Sequence, residues 1–171
     1  QLLISLGIPD TQLKIENETL TPGPTGMDSI EILFSANKGV EVRPLAQVAS
    51  GGEFSRLMFA VKYVMAEKAS LPTLVLDEID SGISGEIALQ LGKMMKTMAE
   101  RHQLITISHL PQIAAKADTH YFVYKDNSTD KTTSHIRKLD EKDRVAEVAK
   151  MIGGSKPTAI ALENARELIK G

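Results

Sequence analysis

Two short, almost wholly apolar runs constrain this chain more than any other feature. They are Thr73-Leu74-Val75-Leu76, restarted by Pro72, and Gln103-Leu104-Ile105-Thr106-Ile107. Each reads as a strand covered on both faces. Between them, from about Glu86 to Arg101, Ile87, Leu91, Met94, Met95 and Met98 fall on one side of a helix. Strand, helix, strand in that order argues for a parallel α/β unit. In such sheets ligands gather beyond the carboxyl ends of the strands. Asp77-Glu78 stands at the end of the first run and Ser108-His109 at the end of the second.

The rest of the chain surrounds that unit. Residues 12–17 alternate polar and apolar, and Ser29 to Ser35 forms a second strand. A turn over residues 20–28, rich in Pro and Gly, would join them as a hairpin. Asn37 to Ala49 reads as irregular. A helix from Phe54 to Lys68 carries a stripe of Phe54, Leu57, Met58, Val61, Val64 and Met65. A short helix follows Pro111. A second hairpin is expected from His120 to Lys125 and Thr132 to Leu139, joined by Asp126 to Lys131. Two helices close the chain, about Lys142 to Ile152, with Val145, Val148 and Ile152 inward, and Thr158 to Lys170.

Composition bounds the function. The 171 residues fit one ordinary domain, and 42% apolar with 25% charged residues allow a real core. The net charge of −2 does not suit a strongly basic nucleic-acid binder, so any DNA contact is local or lies outside this segment. Lys62, Lys68, Lys93, Lys96 and Arg101 read better as solvated helix faces than as DNA contacts. The lack of cysteine excludes disulfides, thiolate metal sites and a cysteine nucleophile, and suits a reducing cytosol. No apolar stretch approaches the ~20 residues of a membrane span, so no membrane partner is expected. The chain begins at Gln1 rather than Met, which reads as a piece of a longer protein.

Four motifs carry chemistry. Ser50-Gly51-Gly52-Glu53 precedes a helix; bare glycine amides and the positive end of the macrodipole make an anion site there. Ser50 acting only as a helix cap is the plainer alternative. Asp77 at a strand end suits Mg²⁺, directly or through water, and Glu78 points elsewhere and can orient a water. An acidic loop after a strand is the alternative. Asp80-Ser81-Gly82-Ile83-Ser84-Gly85 forms a glycine loop, or simply a turn with Ser84 capping the next helix. His109 can hydrogen-bond a phosphate, or be an ordinary polar strand end. Gly153-Gly154-Ser155-Lys156-Pro157-Thr158 is no phosphate loop: it lacks Gly before the Lys and has Pro after it, so a glycine there reads as a helix C-cap.

Taken jointly and in this order, the motifs resemble the ABC ATPase family. The resemblance implies Ser50, Gly51, Gly52 and Glu53 as the signature, Asp77 as the Walker B aspartate, Glu78 as catalytic base, Asp80 to Gly85 as D-loop and His109 as switch histidine. Val48 to Arg56, Asp77 to Gly85, Ser108 to Ala115 and Ala149 to Gly154 together resemble the DNA-repair members of its SMC-like branch. Ala49 departs from the Leu usual in the wider family.

That resemblance implies a fold and a role. The expected fold is α/β, the C-terminal lobe of a P-loop NTPase head, with a mainly parallel sheet flanked by helices and accessory hairpins. The chain would be the second half of the head, with the Walker A half and a coiled coil outside it. The implied cofactors are ATP and Mg²⁺. The implied partners are a second copy of the head across a sandwiched ATP, the chain's own N-terminal Walker A lobe, and DNA in the full-length protein. The implied activity is ATP hydrolysis in double-strand-break repair and recombination, in a bacterial cytoplasm and at the nucleoid. The chain alone is expected to be inactive. Another ABC or SMC-like head and a non-enzymatic α/β interaction domain are the competing readings.

Overall fold

The computed structural model describes residues 1–48, 51–69, 71–126 and 131–171. It divides into two compact units. The first comprises Gln1–Pro72 and Ile79–Gln90, the second Thr73–Glu78 and Leu91–Gly171.

The first unit opens with a single helical turn, α1 (Leu2–Ser5), and a long hairpin of β1 (Gln12–Gly23) and β2 (Gly26–Ser35). The antiparallel register runs from Gln12↔Ser35 to Thr19↔Asp28, then shifts before closing at Gly23↔Gly26. Pairing therefore continues through most of the turn expected over residues 20–28. Only Pro24 and Thr25 remain outside the strands, since a bulge absorbs the irregular stretch. β3 (Arg43–Pro44) adds a third, antiparallel strand, and a 3₁₀ turn (Leu45–Gln47) follows.

α2 (Gly52–Ala69) has the expected period but buries a different face. Arg56, Leu57, Phe59, Ala60 and Ala66 are buried, whereas Val61, Val64 and Met65 are exposed. The helix is apolar on more than one side, and the core of Ile8, Phe34, Ala36 and Leu57 takes only one of them. Leu3, Leu45 and Val48 pack against that core. Gly7 sits at φ 77°, where a β-carbon is strained, and a Cβ there would lie 2.4 Å from Ile87 Cδ1 and have to displace the tip of that side chain.

In the second unit β4 (Thr73–Asp77) and β5 (Gln103–Ile107) pair in parallel, from Thr73↔Gln103 to Asp77↔Ile107. α3 (Gly85–Ala99) joins them in the chain, and Leu91, Met94, Met95 and Met98 are buried as expected. Ile87, by contrast, is half-buried. Covering of both strand faces is not found. Leu74 and Leu76 are buried, but Val75 is 54% exposed, Ile105 49% and Ile107 54%. A parallel pair with one open apolar face departs from the rule that such sheets are covered on both sides.

The second unit continues with α4 (Pro111–Ala114) and an antiparallel hairpin of β6 (Tyr121–Asp126) and β7 (Thr133–Lys138). α5 (Glu141–Gly153) is capped by Asp140, whose carboxylate accepts the Asp143 N–H. Gly154 ends it at φ 82°, the C-cap the sequence indicated. Thr158 caps α6 (Ala159–Lys170) by accepting the Ala161 N–H. Val148, Ala149, Ala165 and Ala115 form the core of this end, with Val145 packed against it. Ile152 is 37% exposed rather than inward. The parallel part of the α/β fold is thus the β4–β5 pair; the other two sheets are antiparallel.

Candidate functional site

The site residues expected from sequence fall into two groups, one in each unit. In the first unit, α2 begins at Gly52, and the Gly51 carbonyl accepts the Ser55 N–H at 3.1 Å. The amides of Gly52, Glu53 and Phe54 therefore have no intrahelical acceptor and stand at the positive end of an 18-residue helix. Ala49 and Ser50 lie outside the described residues. Gly51 is exposed, and a Cβ on it would meet nothing within 4 Å.

Gly52 is different. A Cβ there would lie 2.5 Å from the Ser81 carbonyl oxygen, 3.1 Å from Arg56 Nη1 and 3.3 Å from the Gly82 Cα. Reciprocally, a Cβ on Gly82, at φ 72°, would lie 3.4 Å from the Gly52 Cα. The helix start and the Asp80–Gly85 loop meet backbone to backbone. Within that loop the Ile83 N–H donates to the Asp80 carbonyl at 3.3 Å, closing a turn. Ile79 and Ile83 are buried, and the Asp80 side chain is fully buried. Gly85, at φ 57°, starts α3.

In the second unit, the pairing Asp77↔Ile107 brings the carboxyl ends of β4 and β5 together. Asp77, Glu78 and His109 are all exposed there. The Glu78 N–H donates to the Ile107 carbonyl at 3.1 Å. Glu78 sits at φ 46°, the one positive φ found at a non-glycine position among the described residues. A β-carbon in this region costs about 1–2 kcal/mol, and such strain concentrates at working sites. After β5, the Ser108 hydroxyl accepts the Leu110 N–H at 3.1 Å, turning the chain just past the strand.

Asp77, Glu78 and His109 are brought to one sheet end. Gly51, Gly52, Glu53 and Asp80 are brought together in the other unit. Sequence reading missed two things: the buried Arg56 guanidinium beside Gly52 and the left-handed conformation of Glu78. An arginine four residues after a glycine, on an apolar helix, was the only signal for the first.

Among the described residues no group of three or more His, Asp or Glu side chains could hold a metal. Asp77 suits an ion such as Mg²⁺ that binds one or two carboxylates and completes its shell with water and phosphate oxygens. The α2 amides fit a phosphate group.

No protein-family model matches the chain. The DNA repair protein RecN of Vibrio cholerae is 39% identical over 171 residues, which are 99% of this chain and 31% of that protein. RecN of Deinococcus radiodurans is 41% identical over 167 residues, 97% of this chain and 29% of that protein. The chain therefore spans between 29% and 31% of the length of these relatives. A solved SMC ATPase, described for ATP-driven dimerisation and DNA-stimulated activation, superposes with a TM-score of 0.57 at 16% identity, over 90% of this chain and 89% of that one.

Proposed function

The chain belongs to the RecN family of DNA repair proteins and has the α/β fold of an SMC-type ATPase head lobe, and from that premise we propose that it forms one half of a composite ATP site. In this reading Ser50, Gly51, Gly52 and Glu53 receive the γ-phosphate of ATP held by a second copy of the head. Asp77 supports Mg²⁺, Glu78 orients and deprotonates the attacking water, His109 hydrogen-bonds the γ-phosphate, and Asp80 fixes the D-loop. Bound Mg²⁺ would neutralise charge on the phosphates. The chain's own residues do the rest by positioning and electrostatics.

The observation that carries this reading is Glu78. It is an exposed carboxylate held at a strained backbone angle, at the shared end of two parallel strands, and such strain concentrates at working sites. The open faces support the second part of the proposal. Val75, Ile105 and Ile107 on one sheet face, and Leu13, Ile15, Ile30 and Ile32 on the long hairpin, are apolar and exposed. In this reading they are buried against an N-terminal Walker A lobe of the same full-length protein. In the full-length protein the ATP cycle would join and release two heads during double-strand-break repair and recombination, on DNA in the bacterial nucleoid. No helix among the described residues is long and apolar enough to cross a membrane.

Glu78→Gln in the full-length parent tests this. Glutamine keeps the shape and loses the charge that polarises water. ATP binding is expected to survive, while turnover falls by ~10² or more, the scale of losing a general base. Turnover near the parental rate would remove Glu78 from the role of base.

A further inference from the structure

His109 is followed at once by α4, and the backbone ties the two together. The Leu110 N–H donates to the Ser108 hydroxyl at 3.1 Å. The Leu110 carbonyl in turn accepts the Ile113 N–H at 3.1 Å and the Ala114 N–H at 3.0 Å. A helix of four residues is far too short to keep its shape in water by itself. What fixes α4 therefore fixes the backbone from which His109 projects. Three contacts do so, all within the second unit. Ile113 and Ala115 are buried, and Ala115 joins Val148, Ala149 and Ala165 in one core. A Cβ on Gly92 would lie 3.0 Å from the Gln112 carbonyl oxygen, so α3 passes close against the α4 backbone. The far end is held by Arg144 of α5. Its Nη2 donates to the Ala115 carbonyl at 2.7 Å and also to the Ala117 carbonyl. The last carbonyls of a helix lack partners of their own, and a cation suits the negative end of the helix dipole. Carboxylates next to Arg144 on α5 are engaged elsewhere: Asp143 accepts from Arg137 at 2.7 Å and Glu147 from Lys150 at 3.0 Å.

We propose that Arg144 is a positioning residue for His109: by closing the C-terminal end of α4, it sets where the imidazole stands beyond the end of β5. The proposal rests on reading His109 as the γ-phosphate contact, and it adds a residue that lies outside the motifs. Arg144 touches neither nucleotide nor water and acts through α4 alone. Without it two carbonyls lose their donor, the end of α4 loosens, and the imidazole is no longer held at one place. A misplacement of about 1 Å at a reacting group can cost ~10²-fold in rate.

The test is ATP turnover by the full-length parent carrying Arg144→Gln, alone and combined with His109→Ala. His109→Ala is expected to lower kcat by ~10², the scale of losing one donor to developing charge. Arg144→Gln is expected to lower kcat by about tenfold and to leave KM for ATP within about twofold. In the His109→Ala background, Arg144→Gln should change kcat by less than about twofold, because two residues that act through one group are not additive. Arg144→Lys keeps a cation but not the fork that spans two carbonyls. It should lose about threefold in kcat, again only while His109 is present.

Two results would overturn the proposal. One is an equal loss from Arg144→Gln with and without His109, the pattern of a residue that only holds the fold together. The other is turnover within about twofold of the parent for both Arg144 variants. If Arg144→Gln does not fold, Arg144→Lys decides by the same comparison. The wider reading fails separately. Parental turnover in His109→Ala removes His109 from the phosphate contact and the proposal with it. Reduced turnover in His109→Ala with parental turnover in Arg144→Gln removes Arg144 alone.

Discussion

At the start of α2 the first unit offers backbone amides and glycines, whereas at the ends of β4 and β5 the second offers two carboxylates and an imidazole. The difference follows from what each can bind. Backbone N–H groups at a helix start attract anions and need the absence of side chains to be reached. Carboxylates at strand ends repel anions and suit a cation or a water. Glycine serves the first unit twice, and for separate reasons. Gly51 has open space beside it, so its missing side chain leaves that side of the helix start uncovered. Gly52 has no space at all, so its missing side chain serves packing against the D-loop. In the second unit the constraint sits instead on Glu78, which accepts a backbone angle that favours glycine.

Gly52→Ala should break the first half of this contrast most visibly. Its new carbon would fall 2.5 Å from a backbone oxygen, and backbone cannot swing aside as a side chain can. A loss of about 1–3 kcal/mol is expected, as for overpacked sites. Gly51→Ala should change stability by less than about 0.5 kcal/mol. Chemical denaturation of both variants decides it; equal losses would mean the two glycines are not distinguished.

Glu78→Gly sharpens the second half. Removing the β-carbon relieves the left-handed strain, while the added freedom of the unfolded chain offsets part of the gain. The variant chain should be as stable as the parent or more stable by up to about 1 kcal/mol. A loss above about 1 kcal/mol would show that the Glu78 side chain holds the fold together rather than serving the site.

The smallest effect separates the units by acid. All four histidines lie in the second unit. Burial, with the Arg144 guanidinium beside it, lowers the pKa of His120 from the ordinary 6.5, against a smaller opposing pull from Glu147. A histidine depressed in the folded state favours folding above its unfolded value, and that support is lost as pH falls below 6.5 toward the folded value. Hydrogen exchange between pH 7 and about 5, above the carboxylate range, should loosen the second unit before the first. His120→Gln should flatten that dependence. Loosening of the first unit alone would contradict the assignment.

Periodicity made several elements legible: the two hairpins, α3, α5 and α6; residue type gave the glycine C-cap that Gly154 supplies. The buried faces of α2, β4 and β5 were not legible. Val61, Val64, Met65, Val75, Ile105 and Ile107 have the composition of a core, and hydrophobic pattern reports what can be buried rather than what covers it in this chain. Pro22 and Gly23 gave a strong turn signal, yet strand pairing overrode it through a bulge. At the candidate site the placement of Asp77, Glu78 and His109 at strand ends was legible, while the roles given to them came only from the joint pattern of motifs. The Gly52–Gly82 contact could not, because it joins a helix start to a loop by backbone proximity and leaves no trace in residue type beyond two glycines. Nor could the angle at Glu78, since glutamate has no preference for it.

The central claim is that the α2 end works on a nucleotide held by another copy, while the β4–β5 end works on water and metal. Sizing of the full-length parent by light scattering, with ATP and Glu78→Gln to block turnover, tests it directly when Ser50→Arg is added. A bulky side chain at the helix start should obstruct the partner's phosphate without touching the head's own nucleotide. The account predicts monomeric heads that still bind ATP. If Ser50 only caps its helix, about 1 kcal/mol of stability is lost and association is unchanged. An ATP-dependent dimer of the double variant, as large as that of Glu78→Gln alone, would contradict the trans role of this site.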